Sequence, residues 1–296
     1  MTGKFLSWTA GAVVVLGVLL VNTAPVRAQA VAPKSNVKID GEYGMLLPPD
    51  VSVHGHEQDE LFWIVHWFMA ILFVGWGIFF VYCLIQFRQR GGHRASCDLV
   101  KAKPSKYIEV AVAVVEAVLL LGFSIPIWAS VKNDIPAPGP DPMRNPVRLR
   151  VVGEQFAWNF HYPGADGVFG KTDPKLVDTA TNPLGLDKSG HGADDIFSLE
   201  MHIPVGRPII CEISSKDVIH SFSLPVMRVK QDAVPGMRIP VWFEAKKTGE
   251  GVYEVACAQL CGNNHYSMRA LMYIQQPTDF EKWLAEKSKP VEEFED

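Results

Sequence analysis

The chain has 296 residues, 48% of them hydrophobic and 20% charged, and its formal net charge is −4. That length exceeds one ordinary domain, and the apolar share stands at the upper end for a soluble protein. A mildly acidic balance excludes nucleic acid as a partner, since phosphate binding needs a basic face.

The apolar residues are gathered into runs. Lys4, an apolar stretch over 10–21 and "PVRAQA", with Ala-x-Ala at 28–30, predict a secretory signal peptide over 1–30. An uncleaved third helix is the alternative. No cysteine follows, so there is no lipoprotein signal. Residues 31–60 form a short outer segment. Residues 61–87 contain no Lys, Arg, Asp or Glu. As a helix they reach about 40 Å, enough to cross a hydrocarbon core of about 30 Å. A second span over 107–131 is interrupted by Glu109 and Glu116, so 61–132 read as a helical hairpin. Its loop, 88–106, sets Arg88, Arg90, Arg94, Lys101, Lys103 and Lys106 against Asp98 alone. The positive-inside rule puts that loop in the cytoplasm and both termini outside, as a multi-pass protein of a bacterial inner membrane with its last domain in the periplasm.

Residues 133–146 (NDIPAPGPDPMRNP) hold five prolines and read as a stiff linker. Short β-type runs follow over 147–276: VRLRVVG, QFAWNFHY, IFSLEMHI, PIICEIS, IPVWFEA, GVYEVA and MRALMYIQ. Period-two alternation and Gly/Pro punctuation predict an antiparallel sandwich or barrel. Between the second and third runs lies an insertion over 163–195 with six aspartates and three lysines, a length usual for functional or disordered loops. In the tail, 277–296, Thr278 and Glu281 stand at capping-box spacing, and Phe280, Trp283 and Leu284 form one apolar stripe of a packing helix.

The chemistry is concentrated in VACAQLCGNNHYSMRALM, residues 255–272, where Cys257, Cys261, His265 and Met268 follow one another closely. In an oxidising compartment the two cysteines could form a disulfide, but that explains neither His265 nor Met268. Zinc could take both sulfurs and the imidazole, yet zinc sites rarely recruit methionine. Thiolate, thioether and imidazole together favour copper. An upstream histidine exists: His220, after a strand and 37 residues before Cys257. Two thiolates, two imidazoles, a thioether and a backbone carbonyl are an inventory that can hold two copper ions bridged by both sulfurs. Such a site leaves no position open to a substrate and suits electron transfer.

DVIHSF followed by KQDAVPGM, then C-x-x-x-C-x-x-x-H-x-x-M after two spans, resembles subunit II of the cytochrome c oxidases, the haem–copper respiratory oxidases. The resemblance covers essentially the whole mature chain. It implies a two-helix transmembrane hairpin carrying an all-β, cupredoxin-like Greek-key sandwich. It also implies a binuclear copper centre, CuA, held by His220, Cys257, Cys261, His265, Met268 and the backbone oxygen of Gln259. Many relatives have a glutamate at the position of Gln259 that also reaches a magnesium ion. A neutral amide binds a hard cation more weakly, which puts magnesium in doubt here. Haems and the second copper site would lie in a partner, subunit I, which reduces oxygen to water coupled to proton pumping. Other oxidase subunits would complete the assembly.

By the same resemblance, Phe156 and Trp158 stand in the aromatic stretch that accepts electrons from cytochrome c. Both also fit ordinary half-buried strand aromatics. Glu109 stands where the family places a glutamate near the mouth of a proton channel, and it also fits a hydrated interfacial carboxylate. Glu116, two turns deeper, is costly in lipid unless paired or protonated. Asp217, Glu254 and the acidic insertion would attract a basic cytochrome c, so turnover is expected to fall as salt rises. Cys211 reads as a buried strand thiol, Cys83 as membrane filler and Cys97 as a reduced cytoplasmic thiol. His54 and His56 read as solvated loop residues. No C-x-x-C-H occurs, so the chain binds no c-type haem covalently. A membrane-anchored copper carrier is a competing reading, but the closed ligand set counts against it. A quinol oxidase subunit would lack the ligands, and nothing resembles the propeller domain of nitrous oxide reductase.

Overall fold

A computed structural model describes residues 47–92, 103–249 and 251–288. The expected signal peptide, residues 31–46, the centre of the 88–106 loop with Cys97, and the last eight residues lie outside the described residues.

Two long helical segments carry the apolar runs. Helix α1 spans Gly55–Gln86, and the second segment joins α2 (Lys103–Val118) to α3 (Ile125–Asn133) through a π-helical turn, Leu119–Ser124. Both segments are long and apolar enough to cross a membrane, with mean hydropathy 2.4 and no buried residues in the apolar windows. The chain is a membrane protein. Helix α1 begins at Gly55, ahead of the apolar run, because polar contacts extend it: His56 pairs with Glu60 one turn on, and Asp59 receives a two-pronged bond from Arg228 at 2.7 Å. His56 is therefore helical, and His54 sets its ring edge-on to Trp242 at 4.6 Å; neither is a free loop residue. Glu109 and Glu116 are exposed on α2.

Residues 47–53 and α3 tie the helices to the β domain. Val51 and Val53 donate backbone bonds to Val226 and Glu244, and the Lys132 ammonium donates to Gln231 at 2.8 Å. The domain consists of two five-stranded sheets. One has the order β3-β2-β1-β5-β8, from β1 (Val147–Glu154), β2 (Ala157–Tyr162), β3 (Ile196–Ser198), β5 (Pro208–Ser215) and β8 (Ile239–Glu244). The other has the order β4-β10-β9-β6-β7, from β4 (Met201–Pro204), β6 (His220–Leu224), β7 (Val229–Ala233), β9 (Tyr253–Cys257) and β10 (Arg269–Gln275). Alternation in β1 and β5 turns Leu149, Val151, Ile209 and Ile213 inward, where they meet Phe160, Phe222, Met201 and Met272 in one dry core.

Three details differ from the sequence expectation. The sheets are mixed, with β1 parallel to β5 and β10 parallel to β4, because long crossovers bring in strands that no hairpin joins. The run IFSLEMHI breaks at Glu200 into β3 and β4, which enter different sheets. The terminal helix α4 (Pro277–Lys287) starts with Gln276 as its cap and Pro277 at its first position, so Thr278 and Glu281 form no capping box. Phe280 of α4 is fully buried, and Trp283 stacks on His202 at 4.1 Å, which stacks in turn on Tyr273 at 4.7 Å.

Candidate metal centre

One end of the sandwich gathers the sulfur and imidazole groups. His220 opens β6, where the sequence placed it after a strand, and Cys257 ends β9; Phe222 pairs with Cys257 across these neighbouring strands. The loop between β9 and β10 then delivers Cys261, His265 and Met268 back to the same point. The Cys257 and Cys261 Sγ atoms are 3.8 Å apart and unbonded to each other. His220 Nδ1 lies 3.9 Å from Cys257 Sγ, His265 Nδ1 3.6 Å from Cys261 Sγ, and Met268 Sδ 3.8 Å from Cys261 Sγ. The Gln259 carbonyl oxygen is 3.2 Å from Cys257 Sγ. The structure thus brings all six expected ligand residues together. Ligand atoms of His220, Cys257 and Cys261 lie within 4.8 Å of one another.

Residues that the motif did not flag hold this cluster in place. Asp217 accepts from His220 Nε2 at 2.8 Å and from the backbone N–H groups of Gln155 and Val218 at 2.7 Å each. With Nε2 committed as donor, Nδ1 keeps its lone pair toward the sulfurs. Burial opposes the charge on Asp217, but His220 and the two backbone donors outweigh it and hold the carboxyl below its ordinary range. The signal for this role was a carboxylate three residues before His220. Gln155 braces the loop by donating from Nε2 to the Cys261 carbonyl at 2.5 Å. Gly262 permits that approach: its φ is +136°, and a Cβ there would stand 2.8 Å from Gln155 Nε2 and 3.0 Å from the Phe156 ring. Gly153 serves His220 in the same way, since a Cβ would meet its Cδ2 at 2.9 Å.

The two thiols differ. Burial raises Cys257 toward the neutral form, yet hydrogen bonding from His220 and from the Ser221 and Gln259 backbone brings its pKa down to about 6. Burial and then the neighbouring Cys257 charge push Cys261 up to about 12. Of the pair, Cys257 is therefore the readier to ionise and Cys261 the more strongly held as a thiol.

The candidate aromatics part company. Phe156 is half-buried beside Gly262, whereas Trp158 is 1% exposed, so its half-buried reading fails. Trp158 sits behind the site, edge-on to His220 at 6.0 Å and to Phe222 at 5.6 Å. Glu254 lies 3.8 Å from Arg269, so it and Asp217 already have partners within the chain. On the ligand loop Leu260 and Tyr266 are 77% and 85% exposed, a feature the sequence reading passed over. Cys211 is buried in the core and its thiol is pushed upward by that burial, consistent with an inert strand residue.

A pair of apolar spanning helices bearing a two-sheet, cupredoxin-like domain with a sulfur-rich cluster of candidate ligands defines a membrane-anchored β-domain protein with a candidate metal centre. The family model for the periplasmic domain of cytochrome c oxidase subunit II matches residues 147–274. An alternative cytochrome c oxidase subunit 2 from Bradyrhizobium diazoefficiens is 30% identical over 232 residues, covering 77% of this chain and 79% of that one. The chain belongs to the cytochrome c oxidase subunit II family. The cytochrome c oxidase subunit 2 of Thermostichus vulcanus is 31% identical over 257 residues, and the chain spans 63% of its length. The solved periplasmic domain of subunit II from Bradyrhizobium japonicum is 26% identical and aligns over 51% of this chain and 96% of that one, with a TM-score of 0.36.

Proposed function

We propose that the chain is the electron-accepting subunit of a bacterial cytochrome c oxidase. It takes electrons from cytochrome c at a binuclear CuA centre in the periplasm and passes them to the haem- and copper-bearing subunit I, which reduces oxygen and pumps protons. The observation that carries this reading is the convergence of six donor groups, one from His220 and five from the stretch 257–268 that lies 37 residues on. Two soft thiol sulfurs, a thioether and two imidazoles suit copper better than zinc or a hard cation. His220, Cys257, Gln259, Cys261, His265 and Met268 would hold the metal, which supplies one-electron redox chemistry when bound.

The chain's own groups supply the rest. Asp217 fixes the His220 tautomer, and the lowered pKa of Cys257 presents a thiolate without an external base. Burial of His220, Cys261 and Met268 keeps water from competing for the donors. Phe156, Leu260 and Tyr266 offer the donor protein an apolar approach beside the ligand loop, with Trp158 behind them. Gln259 gives no carboxylate for magnesium. Glu109 offers a carboxylate for proton uptake near the basic loop end of α2.

Metal analysis and electron paramagnetic resonance of the full chain in detergent test the proposal. Two coppers per chain sharing one unpaired electron is the expected result. One copper, or zinc alone, would overturn it.

A further inference from the structure

The insertion over 163–195 has no part in the metal centre, yet it is highly organised. It lies against the outward face of β1, β2 and β5 and roofs a cavity of about 350 Å³. Arg150, Lys216 and Arg238 line this cavity, and Glu212 is its only carboxylate. That carboxylate is already divided, accepting from Arg150 Nε at 3.1 Å and from Arg148 at 2.8 Å. Among the described residues, Arg150's terminal nitrogens have no hydrogen-bond partner, and neither does any nitrogen of the exposed Arg238.

The arginine fork is held in position. Phe169 of the insertion lies under the Arg150 guanidinium, with 4.1 Å from Cζ to the ring centroid. The roof is anchored by Asp195, which accepts from His161 at 2.6 Å and from the Gly170 and Gly164 backbones at 2.7 and 3.1 Å. Burial works most strongly against the charge on Arg150; the Glu212 contact supports the charge but is outweighed once repulsion from Arg238 and Arg148 is added, a condition that a bound anion relieves. A preformed concave site with excess guanidinium charge and unspent donors is the recognition chemistry for an oxyanion.

We propose that this cavity is a binding site for a small soluble phosphate-bearing anion, held by Arg150 and Arg238 beneath the insertion. The proposal is independent of the copper centre. The cavity does adjoin it, because Ser215 lines the cavity and its Oγ lies 3.4 Å from the Asp217 carboxylate that orients His220.

The test is titration of the full chain in detergent with inorganic phosphate and with pyrophosphate, followed by calorimetry and by thermal shift at constant ionic strength. Saturable binding of either, weakened about ten-fold or more by Arg238→Gln and unchanged by Lys230→Gln on β7, is the expected result. Arg238 is exposed and unpaired, so its loss leaves the fold intact. Absence of saturable binding would overturn the proposal, as would equal affinity in the Arg238→Gln chain. An identical response to chloride at matched ionic strength would also overturn it, since that is screening and not a site.

Discussion

Two histidine–aspartate pairs occupy separate parts of the same β domain, and they do different work. His220 donates Nε2–H to Asp217 at 2.8 Å at the ligand end, and His161 meets Asp195 at 2.6 Å beneath the insertion. Each carboxylate gathers two backbone N–H groups besides its imidazole, but the Asp217 side chain keeps 33% of its exposure whereas the Asp195 side chain has none. His220 turns its second nitrogen to a thiol. His161 sets its ring against Phe169 at 5.0 Å. The pairing alone therefore does not mark a site. What the other ring nitrogen faces decides whether such a pair positions a ligand or fastens a loop.

Substitutions can break this comparison in graded steps. Cys257→Ser should abolish the two-copper signal outright, because the neighbouring sulfurs, Cys261 and Met268, are already proposed as ligands, and metal counting will read that loss. Asp195→Asn should cost about 1.5–3 kcal/mol of stability by weakening the hydrogen bonds that a buried carboxylate accepts from His161, Gly164 and Gly170. Copper stoichiometry should stay unchanged, and thermal melting with parallel metal analysis separates the two effects. Asp217→Asn should do the converse, weakening copper retention about 10–100-fold in a chelator competition while melting hardly moves.

A pH effect should be the smallest. Burial holds His161 and His202 below the ordinary value of 6.5, outweighing the Asp195 contact of the first and the Gln275 contact of the second. The unfolded chain then binds protons that the folded chain refuses. The stabilisation is complete above about pH 6.5 and is lost as pH falls from there toward the depressed folded values. Melting of the metal-free chain from about pH 8 to about pH 5 should show that decline, and His202→Gln should flatten it. A stability that rose on acidification would contradict the buried, neutral state of both rings.

The sequence was most legible where chemistry and composition coincide. Uncharged length gave the spans, and the spacing from Cys257 to Met268 gave the ligand loop. Strands β6 and β7 were hidden because HSFSL alternates over only five residues and VKQDA puts three polar residues in a row; β6 is set by pairing with β7 and β9, and β7 by pairing with β6. The parallel pairings of β1 with β5 and of β4 with β10 depend on crossovers that leave no local trace. Asp217 stands three residues before His220 and reads from the sequence only as charge beside the ligands, whereas Gln155 was missed as a positioning group for a similar reason to the parallel pairings. Gln155 lies 106 residues from the Cys261 carbonyl that it holds, a contact that only the closed sandwich creates.

The π-helical turn at Leu119–Ser124 has a consequence for the membrane half. The Ser124 hydroxyl donates back five residues to the Leu119 carbonyl at 3.2 Å, and one surplus residue in the coil turns everything beyond it by about 100°. Glu109 and Glu116 precede the turn, while Trp128 and Lys132, which face the β domain's Gln231 side, follow it. The widened coil thus fixes the compass bearing of both carboxylates relative to the docked sandwich. Deleting Leu120 would swing that bearing by more than a quarter of a circle, so a neighbour that met the acids before would find alkyl groups in their place.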